Sequence, residues 1–337
     1  MHDRYSRQVL FSGIGPKGQA AIGGARVTVV GCGALGSVSS EMLARAGVGR
    51  LRIIDRDFVE WSNLQRQSLF SEADVESGMP KALAAEQALK RINSEIEIHG
   101  VVDDLEHRNV DELLGDSDLV VDGADNFEVR YLVNDFCVQR GVPWVYGAAV
   151  GSYGLSMAIV PGQTACLRCV FEEPPGAGSS ETCDTVGVLA PIIHVVSSYQ
   201  IAQTLRILTG LPPADGLLTV DVWQDDWRRV TVGGPSETCV CCGEGRFEFL
   251  SGTGESSTTS LCGRNAVQIK PPTTGSIDLT ELARRLEGTV PLHLGRYLLQ
   301  IRPDRFEIAL FRDGRAIIKG TGDPSEARAL YARYVGH

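Results

Sequence analysis

The sequence predicts an α/β protein with a doubly wound parallel sheet, followed by a small α+β domain. Short β-branched runs alternate with helical stretches from residue 26 onward, a glycine-rich turn precedes the first helix, and a polar small-residue stretch separates a second set of runs. Near-continuous apolar strands between helices are typical of parallel sheets that carry helices on both faces. A chain of 337 residues has room for one large and one smaller domain.

The first strands and helices alternate along the chain. Strands are predicted at RVTVVG (26–31) and RLRIID (50–55), with a helix over 34–46 between them. A second helix is predicted from Pro80 to Asn93, because proline at the first turn is typical of a helix start. Two further predicted strands are EIEIHGVV (95–102) and DLVVDG (118–123).

The strands that follow predict an antiparallel part of the same sheet. They are PWVYGAAV (143–150), GLSMAIV (154–160) and LLTVDVW (217–223). No helix fits between the first two, so these are expected to pair in opposite directions. A helix over about 191–209 precedes the third strand and is ended by Gly210.

The last part of the chain predicts a separate α+β domain of unknown role. SGTGESSTTS (251–260) has the composition of a linker, which divides the chain into a domain at 1–250, a linker at 251–260 and a domain at 261–337. The predicted elements of the last domain are a strand at 267–269, a helix over 278–286, a strand at 297–301, a hairpin over 306–320 and a closing helix that starts at Asp323.

Composition and charge exclude several classes of protein. Hydrophobic residues make up 43% and charged residues 22%, which excludes a disordered, collagenous or coiled-coil chain. The net charge of −10 argues against nucleic acid as the main partner, because phosphate neutralisation dominates that affinity. A polar amino terminus and the lack of a long apolar run predict no signal peptide and no membrane partner, and therefore a cytoplasmic protein.

A glycine-rich turn predicts a nucleotide site. Gly31, Gly33 and Gly36 form the pattern G-x-G-x-x-G between a predicted strand and a predicted helix, where helix amides can face a phosphate. Asp55 closes the next strand about 20 residues on, where an acidic side chain can reach ribose hydroxyls. This Rossmann-like unit is expected to bind an adenine nucleotide, with NAD, FAD and ATP all open. The alternative is that the glycines serve only tight packing.

Polar residues after the strands favour a triphosphate over a nicotinamide. Asn63 and Arg66 follow the second strand, and Lys81 opens the second helix. Asp125 and Asn126 come just after a later strand, at the end where open α/β sheets bind ligands. Two cations and a carboxylate at this edge suit ATP with Mg²⁺. Taken singly, Arg66 can be a surface charge and Lys81 a solvated first-turn residue.

Nine cysteines are too few for a disulfide scaffold in a chain of this length, and they include two C-x-x-C pairs. Cys166 and Cys169 form the first pair, and Cys239 and Cys242 the second. Two such pairs brought together make a closed Cys₄ zinc site of structural type. A redox pair is the alternative for either motif, and Cys241 is an additional thiol that can compete as a ligand.

The order and spacing of eight motifs resemble the MoeB/ThiF family, the prokaryotic relatives of ubiquitin-activating enzymes. The motifs are RYSRQ (4–8), GCGALG (31–36), SNLQRQ (62–67), MPKA (79–82), DGADN (122–126), CLRC (166–169), TCDTVGVLAP (182–191) and CVCCG (239–243). The resemblance covers about residues 1–250. It supports Cys239 and Cys242, rather than Cys241, as the second pair of zinc ligands.

The resemblance implies adenylation of the C-terminal glycine of a ubiquitin-fold sulfur-carrier protein ending in Gly-Gly, with release of pyrophosphate. By motif match, Asp55 would hold the ribose, Asn63, Arg66 and Lys81 the phosphates, and Asp125 the Mg²⁺, with Asn126 beside it. Arg7 would reach the ATP site of the other subunit of a homodimer. A sulfurtransferase is a further candidate partner.

Cys183 stands where some family members carry a thiol that forms a thioester or an acyl persulfide with the carrier. Neighbouring carboxylates such as Glu181 and Asp184 would raise the pKa of this thiol, so packing is an equal alternative.

Other functions are weighed against this one. A relative that activates threonylcarbamoyl-adenosine on tRNA is disfavoured by the acidic charge and both cysteine pairs. A noncatalytic scaffold subunit is disfavoured by the presence of Arg7, Arg66, Lys81 and Asp125 in one chain. An NAD-dependent oxidoreductase comes last.

Overall fold

The computed structural model describes residues 3–174, 186–252, 260–261, 266–269 and 277–335. These residues form two compact units. The first contains residues 3–72, 80–174 and 187–252, and the second contains residues 73–79, residue 186 and the described residues from 260 onward. Most of the stretch expected to be a linker, together with Cys183, lies outside the described residues.

The first unit is built on a sheet whose described strands follow the order β3-β2-β1-β4-β5-β6-β7-β8. The strands are β1 (Arg26–Val30), β2 (Arg50–Ile54), β3 (Glu97–Val101), β4 (Leu119–Asp122), β5 (Trp144–Val150), β6 (Tyr153–Ile159), β7 (Leu217–Asp221) and β8 (Asp226–Val230). Strands β1 to β5 pair in parallel, and β5 to β8 pair antiparallel. The predicted fold class, parallel first and then partly antiparallel, is confirmed.

Helices connect and cover these strands. They are α1 (Ser6–Leu10), α2 (Gly15–Gly24), α3 (Ala34–Ala46), α5 (Lys81–Ile92), α6 (Val110–Leu114), α7 (Phe127–Arg140), α8 (Leu167–Val170) and α9 (Ala190–Leu208), while α4 (Glu72–Glu76) belongs almost wholly to the second unit. Helix α9 packs on α3 and on strands β5 and β6, so the sheet is covered by apolar contacts on that face. The opposite face packs around Trp144, Tyr131 and Phe136, which are fully buried. No helix among the described residues is long and apolar enough to cross a bilayer.

Strand β1 lies between β2 and β4, so the chain winds outward from it in both directions. The loops after these three strands therefore diverge at one edge of the sheet. This point, where strand order reverses, is the usual ligand site of open α/β sheets. We call it the carboxyl edge, and define it by the residues that follow β1, β2 and β4.

The second unit contains an antiparallel sheet in the order β11-β12-β13-β14-β10-β9. Its elements are β9 (Ser260–Leu261), β10 (Ala266–Ile269), α10 (Leu279–Leu286), β11 (Leu292–Leu294), β12 (Leu298–Ile301), β13 (Glu307–Phe311), β14 (Ala316–Lys319) and α11 (Pro324–Tyr334). Both helices start where Asp278 and Asp323 accept hydrogen bonds from first-turn amides. Alternate residues of the strands form one apolar core with these helices.

Several elements of the first unit, among them helix α7 and strand β8, are absent from the set that the pattern predicts with bounds. Helix α7 carries buried polar residues, Arg130, Asn134 and Asp135, which break its apolar periodicity. Strand β8 is an exposed edge strand with the sequence DWRRV, and it has little apolar alternation. In α7 the polar side chains follow tertiary contacts, and in β8 they follow exposure to solvent, so neither element shows the periodicity of its secondary structure.

Candidate functional site

The glycine-rich turn after β1 is shaped by close backbone approaches. Gly31 has φ +86°, and a Cβ added to it would lie 2.5 Å from the carbonyl oxygen of Gly123 after β4. A Cβ on Gly36 would lie 1.9 Å from the carbonyl oxygen of Gly31. These two glycines let β1, β4 and α3 converge more closely than any side chain would allow.

Gly33 has a different environment from its neighbours. A Cβ added there would meet nothing closer than the Nε2 of Gln67 at 3.9 Å, so protein packing does not require this glycine. It is the N-cap of α3, and no side chain caps that helix. Uncapped first-turn amides facing open space can bind a phosphate. Close packing therefore explains why positions 31 and 36 are glycine, and it does not explain why position 33 is glycine.

Asp55 follows β2 and is held against the glycine turn. Its Oδ2 accepts a hydrogen bond from the Cys32 amide at 2.6 Å, and its Oδ1 accepts one from the Asp57 amide at 2.7 Å. Burial raises the pKa of Asp55, while the positive charge of Lys81 and both amides oppose that rise. The carboxylate is thus oriented by backbone amides at the edge where the sequence places a ribose.

Lys81 is the first residue of α5, and only 3% of it is exposed. Its Nζ lies 3.3 Å from Asp57 Oδ2, and its amide donates to the Asp57 carbonyl at 2.8 Å. The interpretation of Lys81 as a solvated first-turn residue is therefore wrong. A buried ammonium beside the glycine turn is costly unless an anion is near, and Asp57 provides one in this chain.

Asn63, Arg66 and Gln67 lie at the short 3₁₀ turn Trp61–Asn63 and just after it. Asn63 is buried, and its Oδ1 accepts from the Glu60 amide at 3.0 Å. Arg66 is partly exposed and donates to the Ser62 carbonyl at 2.7 Å. Gln67 is 2% exposed, and its Oε1 accepts no hydrogen bond within the described part of the chain. The sequence places Gln67 on the same short polar stretch as Asn63 and Arg66 but gives it no role, whereas the structure shows an unmet acceptor on the side chain nearest Gly33.

The loop after β4 separates two aspartates by burial. Asp122 is 2% exposed, and its Oδ1 accepts from the Ala124 amide at 2.9 Å. Asp125 is exposed, and its charge acts on Arg56 and Arg130. Asn126 caps α7 through its Oδ1, which accepts from the Glu128 amide at 2.7 Å. Asp122 is therefore buried inside the loop, and Asp125 lies at its exposed surface.

Arg130 is a site residue that the sequence analysis missed. It is 6% exposed, and its Nε donates to Asp122 Oδ2 at 3.0 Å. Its Nη2 donates to the carbonyls of Ala124, at 2.7 Å, and Gly147, at 3.1 Å. The guanidinium also lies 5.4 Å from the ring centroid of Tyr146. One buried side chain thus ties the Asp125 loop to the next strand.

Arg7 lies on α1, away from the glycine turn of its own chain. Helix α1 is anchored by Gln8, whose Nε2 donates to the Ala46 carbonyl at 2.9 Å at the end of α3. Helix α3 has 13 residues, so the anchor is about 18 Å from the glycine turn at its other end. Arg7 is exposed at this position.

The four cysteines of the two C-x-x-C pairs come together, with all sulfur atoms within 4.8 Å of one another. The Sγ atom of Cys166 lies 3.8 Å from that of Cys169 and 3.6 Å from that of Cys239. The Sγ atoms of Cys169 and Cys242 lie 3.3 Å apart. Tetrahedral zinc with Zn–S bonds of about 2.3 Å separates its sulfurs by about 3.8 Å. The donor set and spacing therefore fit zinc.

Cys241 is not a member of that group of four sulfur atoms. It is fully buried, and its Sγ accepts a hydrogen bond from Asn134 Nδ2 at 3.2 Å. The prediction for Cys183 has no structural outcome, because that residue lies outside the described part of the chain.

Comparison with curated proteins finds relatives along the whole chain. It is 45% identical over 338 residues, the full length of both proteins, to the sulfur carrier protein ThiS adenylyltransferase of Bacillus subtilis (strain 168). It is 38% identical over 250 residues to the SAMP-activating enzyme E1 of Haloferax volcanii, which covers 74% of this chain and 91% of that protein. Identity to the adenylyltransferase and sulfurtransferase MOCS3 of Sus scrofa is 36% over 306 residues, or 89% of this chain and 65% of that protein.

A solved structure and a family model match the same part of the chain as these relatives. The crystal structure of E. coli MccB with MccA-N7isoASN has a TM-score of 0.64 and 26% identity, and the match covers 72% of this chain and 74% of that one. The ThiF family model matches residues 5–241. This match covers more than half of the chain and includes both the carboxyl edge and most of the cysteine cluster. The predicted family membership is confirmed: the chain belongs to the ThiF family.

Proposed function

We propose that this protein uses ATP to adenylate the C-terminal glycine carboxylate of a ubiquitin-like sulfur-carrier protein, with release of pyrophosphate. It is an adenylyltransferase of the ThiF family, and relatives that share 45% and 38% of its sequence are named for activating such carriers. The observation that carries the proposal is the convergence of an open Gly33, a buried Lys81 and an exposed Asp125 at one edge of the sheet.

The reaction joins two anions, so charge compensation is its main requirement. A carboxylate oxygen forms a bond to the α-phosphorus, the bond from that phosphorus to the bridging oxygen breaks, and pyrophosphate leaves. No general base is needed, because a terminal carboxylate is already ionised at neutral pH. Cations held in place before the reaction cost no reorganisation in the transition state.

The residues of the carboxyl edge divide this work. The amides at Gly33 would bind phosphate oxygens and Asp55 the ribose hydroxyls. Lys81 and Arg66 would neutralise the phosphates, with Asn63 as a further contact. A buried Lys81 is suited to this role because low dielectric strengthens its attraction for the phosphates.

Two metals belong to the proposal. Asp125, next to Asn126, would bind Mg²⁺ that accompanies ATP, and this ion would add charge stabilisation at the transferring phosphate. Cys166, Cys169, Cys239 and Cys242 would hold Zn²⁺ in a closed site that stabilises the fold. The four-sulfur geometry supports this assignment.

The assembly and the later steps are also proposals. Arg7 would complete the ATP site of a second copy in a homodimer, which is consistent with its distance from its own glycine turn. The Cys183 thiol would displace AMP from the acyl-adenylate to form a thioester, or a persulfide that a sulfurtransferase has transferred to Cys183 would displace AMP to form an acyl persulfide. The cytoplasmic location stays a prediction.

The first experiment is ATP–pyrophosphate exchange by the purified protein with a panel of ubiquitin-fold carriers ending in Gly-Gly. We expect exchange that requires one carrier and that falls at least 100-fold in Asp125→Ala, on the order of the loss of one preorganised transition-state contact. Asp118→Ala, at the exposed opposite end of the sheet, is the matched control and should keep full exchange. Tight ATP binding without exchange for any carrier would overturn the proposal.

A further inference from the structure

Helix α7 connects the two candidate sites of the first unit. It begins directly after Asp125 and Asn126 at the carboxyl edge, and its side chains reach the cysteine cluster two turns later. Arg130 and Asn134 lie four residues apart and hence on one face of the helix. Both are buried, with 6% and 0% of their surface exposed. The helix therefore presents a buried polar stripe where an apolar face is usual.

Asn134 binds both halves of the cysteine cluster. Its Oδ1 accepts from the amide of Leu167, which lies between Cys166 and Cys169, at 2.8 Å. Because that partner can only donate, the orientation of the amide group is determined, and Nδ2 points to Cys241 Sγ at 3.2 Å. Cys241 in turn lies between Cys239 and Cys242. One side chain thus joins the two C-x-x-C segments, Cys166–Cys169 and Cys239–Cys242, which are far apart in sequence and which we call the two knuckles.

The other end of the stripe binds the loop that carries Asp125. Arg130 Nη2 donates to the Ala124 carbonyl at 2.7 Å, and Arg130 Nε donates to Asp122 at 3.0 Å. From Asn126 to Asn134 the helix rises about 12 Å, and it is a single hydrogen-bonded element. A shift of α7 relative to the cysteine cluster would therefore also move the Asp125 loop.

We propose that Asn134 is a positioning residue that couples the metal centre to the adenylation site through α7. It holds the two knuckles in register around Zn²⁺, and the same contacts hold α7 where Asp125 faces the nucleotide. Hydrogen-bond partners outside the ligand shell commonly change metal affinity or activity by 10- to 100-fold, on the order of what we expect here. The nucleotide half of this inference rests on the proposed function, and the metal half does not.

The first test measures zinc release from the purified protein to a chromophoric chelator. Asn134→Ala should release Zn²⁺ about tenfold faster than the wild type. The matched control is Asn93→Ala. Asn93 is equally buried in the same unit and donates to Tyr5 and to the Ala44 carbonyl, but it has no contact with the cluster. It should lose stability and keep the wild-type release rate.

The second test uses the reciprocity of coupled sites. Saturating ATP with Mg²⁺ should slow zinc release from the wild type about fivefold or more, because couplings between sites are at least of this order. This protection should disappear in Asn134→Ala. In exchange assays on fully zinc-loaded protein, kcat should fall for Asn134→Ala with a smaller change in KM for ATP. A residue that only fills space would change neither the protection nor the kcat.

A second variant keeps the inference testable if Asn134→Ala does not fold. Cys241→Ala removes the sulfur that Asn134 contacts and leaves the four proposed ligands in place, so it should reproduce the faster release. The double variant should release zinc more slowly than the product of the two single effects predicts, because both changes remove the contact between Asn134 and Cys241. Equal release rates in all variants, or release that nucleotide never alters in a wild type shown to bind ATP, would overturn the inference. Failure of exchange with every carrier would instead overturn the proposed function.

Discussion

The two ends of the parallel sheet use the same kinds of charged residues in opposite ways. At the amino end, Arg26 pairs with Asp118 at 2.8 Å, and 47% and 39% of their side chains are exposed. At the carboxyl edge, Arg130 pairs with Asp122 at 3.0 Å, and 7% and 3% are exposed. Asp118 directly precedes β4 and Asp122 ends it, so the identity of the strand does not explain the difference.

The two ends of the sheet shift the pKa values of their aspartates in opposite directions. Hydrogen bonds from Arg26 lower the pKa of Asp118, because water still solvates the charge and the partner adds to that stabilisation. Burial raises the pKa of Asp122 even though Arg130 and two amides oppose the rise. A charge that has lost its water depends on its protein partners, which for Asp122 are Arg130 and the amides of Ala124 and Gly147. The amino end gains solubility from its charges and little stability.

The variant Arg130→Ala is expected to have the largest effect on the difference between the two ends of the sheet. It leaves Asp122 buried without its cation and frees two carbonyls, so the free energy of unfolding should fall by about 3–5 kcal/mol. Urea denaturation measures the loss, with Arg26→Ala as the control whose midpoint should stay near that of the wild type. Equal midpoints for the two variants would show that burial does not separate the two ends.

Lys81→Met tests whether the buried cation at the carboxyl edge serves the reaction. Its removal should slow carrier-dependent pyrophosphate exchange by about 10²- to 10³-fold, since a preorganised charge at the transferring phosphates is lost. Arg50→Met removes an exposed cation from the amino end, where it pairs with Glu97, and should leave the exchange rate unchanged. The comparison fails if both variants slow exchange equally.

Gly36→Ala and Gly33→Ala separate packing from ligand binding within one motif. Gly36→Ala forces α3 away from the Gly31 carbonyl and should cost about 1–3 kcal/mol of stability. Gly33→Ala meets no protein atom within 3.9 Å, so thermal stability should hold while the affinity for ATP falls. Calorimetry of both variants with ATP gives both quantities. Loss of stability in Gly33→Ala would contradict the assignment of its open side to a ligand.

The smallest effect is expected for Asp118→Asn at the amino end. Because the folded pKa of Asp118 is lowered, its pair with Arg26 contributes stability above the ordinary aspartate pKa of about 3.9 and loses it as the pH falls through the folded pKa. Because both side chains of this pair are exposed, the pair should contribute little to the free energy of unfolding at pH 7. Denaturation midpoints of the variant and the wild type should converge at low pH. A large difference that persists in acid would contradict this account.

The parallel strands and their glycine turn could be predicted because their signals are local. Strands β1 and β2 and helix α3 lie within a residue of their expected bounds, since β-branched runs and glycine punctuation act over a few residues. Helix α7 could not be bounded from its pattern, because Arg130, Asn134 and Asp135 are buried by contacts with distant segments. Polar residues in those positions resemble a solvated surface when only the sequence is known.

The sequence by itself determined the fold class, the family and the residue types that can perform adenylation, because motif spacing and periodicity are properties of the chain alone. Only the tertiary structure decided how these residues are used. It divided Asp122 from Asp125 by burial, separated the packing glycines from Gly33, and joined Asn134 to both cysteine knuckles. The physical reason is that burial and hydrogen-bond partners come from segments far apart in the chain, and these set the energy of each charge and amide.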